Sequence, residues 1–347
     1  ASKEADGKRV LNDSTANVPA VVEDDTSDED EPSPSNESLL RANATSISHL
    51  VTHHPKNPYC ETCLIAKAAR QRKVRSTCQK GSRRESKKFG DCVTADTLIA
   101  RDASASGYDN DTLGMQNAIV FFDDFSGWLS AHPTATKSTE DTMQAMLEFA
   151  GRDKITGFYT DNAPELLEVG KKIGLIHRTA TTGMPKTNGI AERRVKQVKE
   201  GTTALLLHAG FTTRWYWPLA MQASCFAHNM NPFGKLPTPY FKRHGVDFTG
   251  LNLPFGCLIQ FMPVPAKLGN RTPFEPKMRA GLFGGWHVHA GGMWSGDYYA
   301  YDFSEFNWDQ DAGRYNFVHP QRIKEVVRCP TAGLQFPLRA AFDYYKS

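Results

Sequence analysis

Glu192 is where chemistry first becomes legible in this chain. It lies in Thr187-Asn188-Gly189-Ile190-Ala191-Glu192-Arg193-Arg194, where a glycine-containing turn leads into a long helical pattern. The carboxylate therefore falls in the first turn, where alone it would only favour the helix dipole. Two further acids change that. Phe158-Tyr159-Thr160-Asp161 reads as a strand that ends on an acid and then turns, and Val93-Thr94-Ala95-Asp96 as a short strand carrying another. Two carboxylates from strands and one from a helix can converge on hard divalent cations, which take oxygen ligands. A pair of such ions supports phosphoryl transfer, one activating the attacking oxygen and the other steadying the leaving one. Magnesium, or manganese in its place, suits a donor set made only of hard oxygens.

A second constellation precedes these acids. His49-Leu50-Val51-Thr52-His53-His54-Pro55 is followed by Cys60-Glu61-Thr62-Cys63. Two histidines one helical turn apart and a Cys-x-x-Cys turn supply the two nitrogens and two thiolates that tetrahedral zinc prefers. His53 and His54 compete for one position; His53 is preferred because it follows His49 by one turn and His54 precedes a proline. The segment is too small to hold a core of its own, so structural Zn²⁺ at His49, His53, Cys60 and Cys63 would supply much of its folding energy. The bland alternative is a pair of surface histidines beside free thiols.

The elements that must position these groups are set by composition first. The chain has 347 residues, 40% of them apolar, with six tryptophans, enough for two or three domains with sizeable cores. Its net charge of +3 conceals a segregation. Residues 1–40 hold eleven acids against three bases, leaving +11 on the remainder, which suggests a polyanionic partner. Seven cysteines with no apolar leader fit a reducing intracellular compartment. No run approaches the ~18 apolar residues that span a bilayer, so no membrane partner is expected.

Along the chain, 1–44 reads as a disordered acidic tail, 45–75 as the zinc-binding domain and 76–90 as a basic linker. From 91 to 235 strand and helix patterns alternate: strands from Asp91 to Ile99 and from Ala118 to Asp123, and a hairpin partner from Gly127. A helix capped by Ser138 follows, carrying Met143, Met146, Leu147 and Phe149. Then come a strand to Thr160, a helix from Pro164, a strand to Thr179, the helix of Glu192 and a tryptophan-bearing last helix. That order describes a five-stranded mixed sheet with helices on both faces. Residues 236–249 read as a linker, 250–328 as a small antiparallel β-barrel and 329–347 as a tail. His287 and His289 alternate on one strand without further ligands nearby, and Cys257 reads as a buried hydrophobe.

These residues resemble a family. Residues 46–325 are similar to the integrase segment of Copia-type retrotransposon polyproteins, relatives of retroviral integrases. The most specific blocks are Thr160-Asp161-Asn162-Ala163-Pro164-Glu165-Leu166 and Thr187 to Arg193; Phe122 to Trp128, Leu50 to His53 with the cysteine pair, and Phe255-Gly256-Cys257 add to them. The resemblance implies a ribonuclease H-like core with an Asp, Asp, Glu triad. Asp161 matches the second position, Glu192 the third, and Asp96 best fits the first, with Asp91 and Asp102 as fallbacks. Thirty residues separate Asp161 from Glu192, fewer than is usual in the family, and only six separate His53 from Cys60.

What the resemblance implies chemically is a DDE-type polynucleotidyl transferase, with endonuclease activity as a related outcome. Water attacks a phosphodiester near the element's DNA end, and the freed 3′-hydroxyl then attacks target DNA. Asp96 would bridge both ions, and Asp161 and Glu192 would each hold one. Lys196 and Lys199 share the face of Glu192; with Arg193 and Asn188 they are the expected DNA contacts, against a plain Glu192–Lys196 pairing on the helix surface. Homo-oligomers, element and target DNA as partners, and a nuclear site of action after a cytoplasmic particle stage follow by the same resemblance. The chain reads as a slice of a longer polyprotein. A non-catalytic DNA- or chromatin-binding derivative is the alternative.

Overall fold

The computed structural model describes residues 34–67, 86–100, 114–179, 189–211, 214–232, 237–268, 274–309, 314–328 and 333–346. The chain enters through three short helices: α1 (Pro34–Ala44), α2 (Ile47–Thr52) and α3 (Glu61–Ala66). The acidic composition that reads as a tail through residue 44 is thus overruled from Pro34 onward. The reason is tertiary. Asn57 Nδ2 donates to the Leu40 carbonyl at 2.8 Å, and the Arg41 guanidinium lies 4.4 Å over the Tyr59 ring.

The central sheet comprises β1 (Val93–Ile99), β2 (Asn117–Asp123), β3 (Leu129–Thr134), β4 (Gly157–Thr160) and β5 (Ile176–Thr179). Its order is β3-β2-β1-β4-β5, antiparallel from β1 to β3 and parallel from β1 to β5. β2 is buried along its whole length because both faces are covered. Ile119 and Phe121 meet α4 (Thr139–Ala150) on one side; Ala118, Val120 and Phe122 meet α6 (Gly189–Ala209) and α7 (Trp217–Met230) on the other. α5 (Pro164–Lys172) makes the crossover between the parallel strands β4 and β5 and lies beside α4. The mixed sheet and its covering helices form the expected ribonuclease H-like α/β core. Ser138 caps α4 by accepting from the Asp141 N–H, as the sequence indicates, though Leu147 turns outward from the stripe of Met146 and Phe149.

After α7 the chain does not run free. The presumed linker 236–249 contains α8 (Pro239–His244), with Tyr240 buried in the core. Then β6 (Leu258–Phe261), the short helix α9 (Pro265–Leu268), β7 (Arg279–Val288) and β8 (Trp294–Asp302) lead to β9 (Trp308–Asp309) and β10 (Arg314–Tyr315), which pair separately. β11 (Gln321–Ile323) and β12 (Val326–Val327) complete a second, antiparallel sheet of order β11-β8-β7-β6-β12. Its two edge strands are consecutive in the chain, with only Lys324 and Glu325 between them. The sheet must therefore curl until its edges approach.

That sheet is no separate body. One hydrophobic core runs from Val93 and Phe121 through Phe226 of α7 to Trp286 and Tyr301. Gly285 and Gly256 permit the contact: a Cβ on Gly256, whose φ is +76°, would lie 2.3 Å from Ala209 Cβ. The presumed tail 329–347 likewise contains a helix, α10 (Pro337–Lys346), whose Leu338 is buried and whose Arg339 donates to the Leu207 carbonyl at the end of α6. Short helices with little intrinsic preference are held here by what they touch.

Candidate active site and metal centre

The sheet register brings two of the three acids together. Ala95 of β1 pairs in parallel with Thr160, the last residue of β4, so Asp96 follows on β1 and Asp161 comes just past the end of β4. Asp96 lies on the face of Leu98 and opposite Val120, the face covered by α6. Ile190, Val195 and Val198 set α6 down on Leu98, Ala118, Val120 and Phe122, leaving Glu192 exposed in its first turn. Burial pushes the Asp96 carboxyl up to about 6, and the charges of Asp161 and Glu192 add to the rise against the Thr97 N–H that donates to it at 2.7 Å. The three acids therefore share one electrostatic field. Among the described residues the three acids do not form a group of the kind that could hold a single ion.

The other expected residues separate clearly. Asp91 accepts from the Lys87 and Lys88 N–H groups and is a turn residue, not a member of the acidic group. Asp102 and Asn188 lie outside the described residues. Asp123 is buried and accepts from the Gly90 N–H and from Ser126, closing the β2–β3 hairpin. Asp161 also accepts from the Ala163 N–H at 3.1 Å, while Glu165 occupies the first turn of α5. Arg193, Lys196 and Lys199 are exposed along α6. Lys196 pairs forward with Glu200 at 3.6 Å, not backward with Glu192. Arg194 instead packs 4.0 Å over the Phe122 ring. Sequence reading missed Lys137, whose charge acts on Asp96 from just beyond β3; its place immediately before the Ser138 cap was the available signal.

His49, His53, Cys60 and Cys63 are all buried, and one ligand atom from each lies within 4.8 Å of the others. Cys60 Sγ is 3.5 Å from His53 Nδ1, and Cys63 Sγ is 3.4 Å from His49 Nε2 and 3.7 Å from His53 Nδ1. A tetrahedral zinc with ordinary bonds to sulfur and nitrogen would space those atoms about 3.6 Å apart. The donor set fits the ion. One local expectation changes: α2 ends at Thr52, and His53 sits past it at φ +50°, a left-handed conformation rare for a residue other than glycine. That turn, rather than a shared helical face, aims its Nδ1 at the thiols. Cys60 caps α3, and its thiol is held far below the ordinary value by hydrogen bonding to Cys63 and the imidazoles, while Cys63 is pushed up by the same sharing. A bound cation would displace both protons. His287 and His289 lie with ring centres 5.2 Å apart but join no such group among the described residues. Cys257 is fully buried, its thiol raised to about 12.

No family model matches the chain. Over 150 residues it is 30% identical to the Retrovirus-related Pol polyprotein from transposon RE1 of Arabidopsis thaliana, covering 40% of this chain and 10% of that one. Over 133 residues it is 29% identical to the Pol polyprotein of Radiation murine leukemia virus, covering 36% of this chain and 22% of that one. The chain is thus similar to stretches of retrotransposon and retroviral Pol polyproteins. Among solved structures it is similar to the HTLV-2 integrase catalytic core domain in complex with magnesium, at 17% identity over 45% of this chain and 98% of that one, with a TM-score of 0.35. The chain spans between about a tenth and a fifth of the length of these polyproteins. No helix among its described residues is long and apolar enough to cross a membrane.

Proposed function

We propose that this chain is the integrase portion of a retrotransposon Pol polyprotein, and that it trims the 3′ ends of element DNA and joins them to target DNA. The observation that supports the reading is the parallel register of Ala95 with Thr160, after which Asp96 and Asp161 come next in their segments, together with the charges of Asp161 and Glu192 acting on Asp96. Two divalent cations bound there would lower the pKa of the attacking water or hydroxyl and neutralise charge on the phosphate. The chain's own part is to hold three carboxylates on rigid elements at fixed spacing. Asp96, half-buried, is the acid on which the charges of the other two act. The exposed Arg193, Lys196 and Lys199 would hold DNA phosphates along α6. The quartet of His49, His53, Cys60 and Cys63 would hold structural zinc. Homo-oligomers on paired DNA ends, and action in the nucleus, belong to the same proposal. So does closure of the curled second sheet into a small barrel.

The test is joining of a labelled duplex end to plasmid DNA with Mg²⁺ or Mn²⁺. The native protein is expected to give joined product, and Asp161→Asn and Glu192→Gln to give none while still retaining DNA. DNA retention with no joining by the native protein under either ion would favour the binding-only derivative instead.

A further inference from the structure

The zinc-type quartet is buried, yet α1, α2 and α3 are too short to enclose it alone. The core does that. Val51 of α2 joins the hydrophobic core of the central sheet, and α2 and α3 lie against α6. From the last turn of α6, His208 brings its ring centre 5.2 Å from that of His53, with the ring planes 64° apart. Phe336, just before α10, backs His208 from another side at 4.4 Å. That spacing of His53 and His208 admits an N–H···N hydrogen bond of about 3 Å between the ring edges.

The chemistry asks for such a bond. If His53 ligates through Nδ1, its ring proton must sit on Nε2. That Nε2 is buried with no hydrogen-bond partner, and so is Nε2 of His208. Metal-bound histidines as a rule donate their second ring N–H to an acceptor that fixes their orientation. The Nδ1 of His49 is buried without a hydrogen-bond partner as well.

We propose that His208 accepts a hydrogen bond from Nε2 of the zinc-bound His53, tying the metal site to the helix that carries Glu192. The proposal rests on the zinc reading of the quartet and not on DNA joining. Its consequence is mechanical. His208 and Glu192 stand at opposite ends of the same helix, about 24 Å apart at 1.5 Å per residue. Zinc would then anchor the far end of the helix whose first turn holds an acid of the active site. His208 is a positioning residue in this scheme.

The experiment compares the full chain with His208→Phe, which keeps a ring but removes the acceptor, and with His208→Gln, whose amide oxygen can accept. Zinc affinity is read by competition with a chromophoric chelator, and the site by the absorption bands of Co²⁺ in place of zinc. His208→Phe is expected to bind zinc about 10–100-fold more weakly and to shift the Co²⁺ bands, with His208→Gln recovering most of the affinity. Affinity of His208→Phe within twofold of the native chain, or a glutamine variant no better than phenylalanine, overturns the proposal. Hydrogen exchange on the native chain supplies a check that needs no variant. Removing zinc should lower amide protection along α6 from Ala209 back toward Gly189. Unchanged protection in α6 on zinc removal also overturns it. A native chain that takes up no zinc overturns both this proposal and the zinc reading, and leaves the joining assay standing apart.

Discussion

Asp96 shows how much a single position can carry. Its strand places it on the face of α6, its burial raises its carboxyl to about 6, and its neighbours add two negative charges. His228 is the opposite case, a titratable group held neutral for structure. Its Nδ1 accepts from Gln197 Nε2 at 3.2 Å, leaving Nε2 to donate to the Gly127 carbonyl at 3.3 Å, and burial lowers it to about 3. A folded pKa below the unfolded value means that the unfolded chain takes up the proton first. Stability contributed by His228 is therefore present above about pH 6.5 and is lost as pH falls toward 3. Within that window the slope from one such group is about 1.4 kcal/mol per pH unit. Urea unfolding followed from pH 7.5 to 4.5 should show a shallower decline for His228→Gln than for the native chain; equal slopes would remove His228 from the explanation.

At the scale of elements, α8 does more than its six residues suggest. Arg243 is almost wholly buried, lying 3.9 Å over Phe89, 4.8 Å over Trp128 and 5.4 Å over Phe149, and it donates to the Phe149 carbonyl and to Asp153. It thereby pins the start of β1, the β2–β3 hairpin and the end of α4 to the helix that precedes the second sheet. Desolvation brings its guanidinium down to about 10, still charged at neutral pH. Arg243→Ala should cost about 2–3 kcal/mol, from lost stacking and an unpaired carbonyl, read as a lower midpoint in guanidinium unfolding. A loss below about 0.5 kcal/mol would mean that α8 is only a connector. The strands of the central sheet and the helices α4 to α7 were legible in the sequence because their periodicity is strong and their caps are explicit, as with Ser138. The helices α1, α8 and α10 were not. Their order comes from Asn57, from Arg243 and from Gly210 meeting Arg339, partners distant in sequence that local propensity does not encode.

Over the whole molecule, the entering helices and the second sheet both close onto the α6–α7 layer of the core. The candidate site was legible to the same degree as its elements. Asp161, Glu192 and the His/Cys quartet stood out by type and spacing. Asp96 followed from its strand. Lys137 and His208 did not, since only the folded chain sets them beside Asp96 and His53. Joining chemistry requires three acids from three elements to act as one site for two cations. Diffraction from crystals soaked in Mn²⁺, collected at the manganese edge, tests that most directly. Two anomalous peaks about 3.5–4 Å apart, one between Asp96 and Asp161 and the other between Asp96 and Glu192, are the expected result. Peaks away from these carboxylates, or none at ion concentrations that support joining, would contradict it.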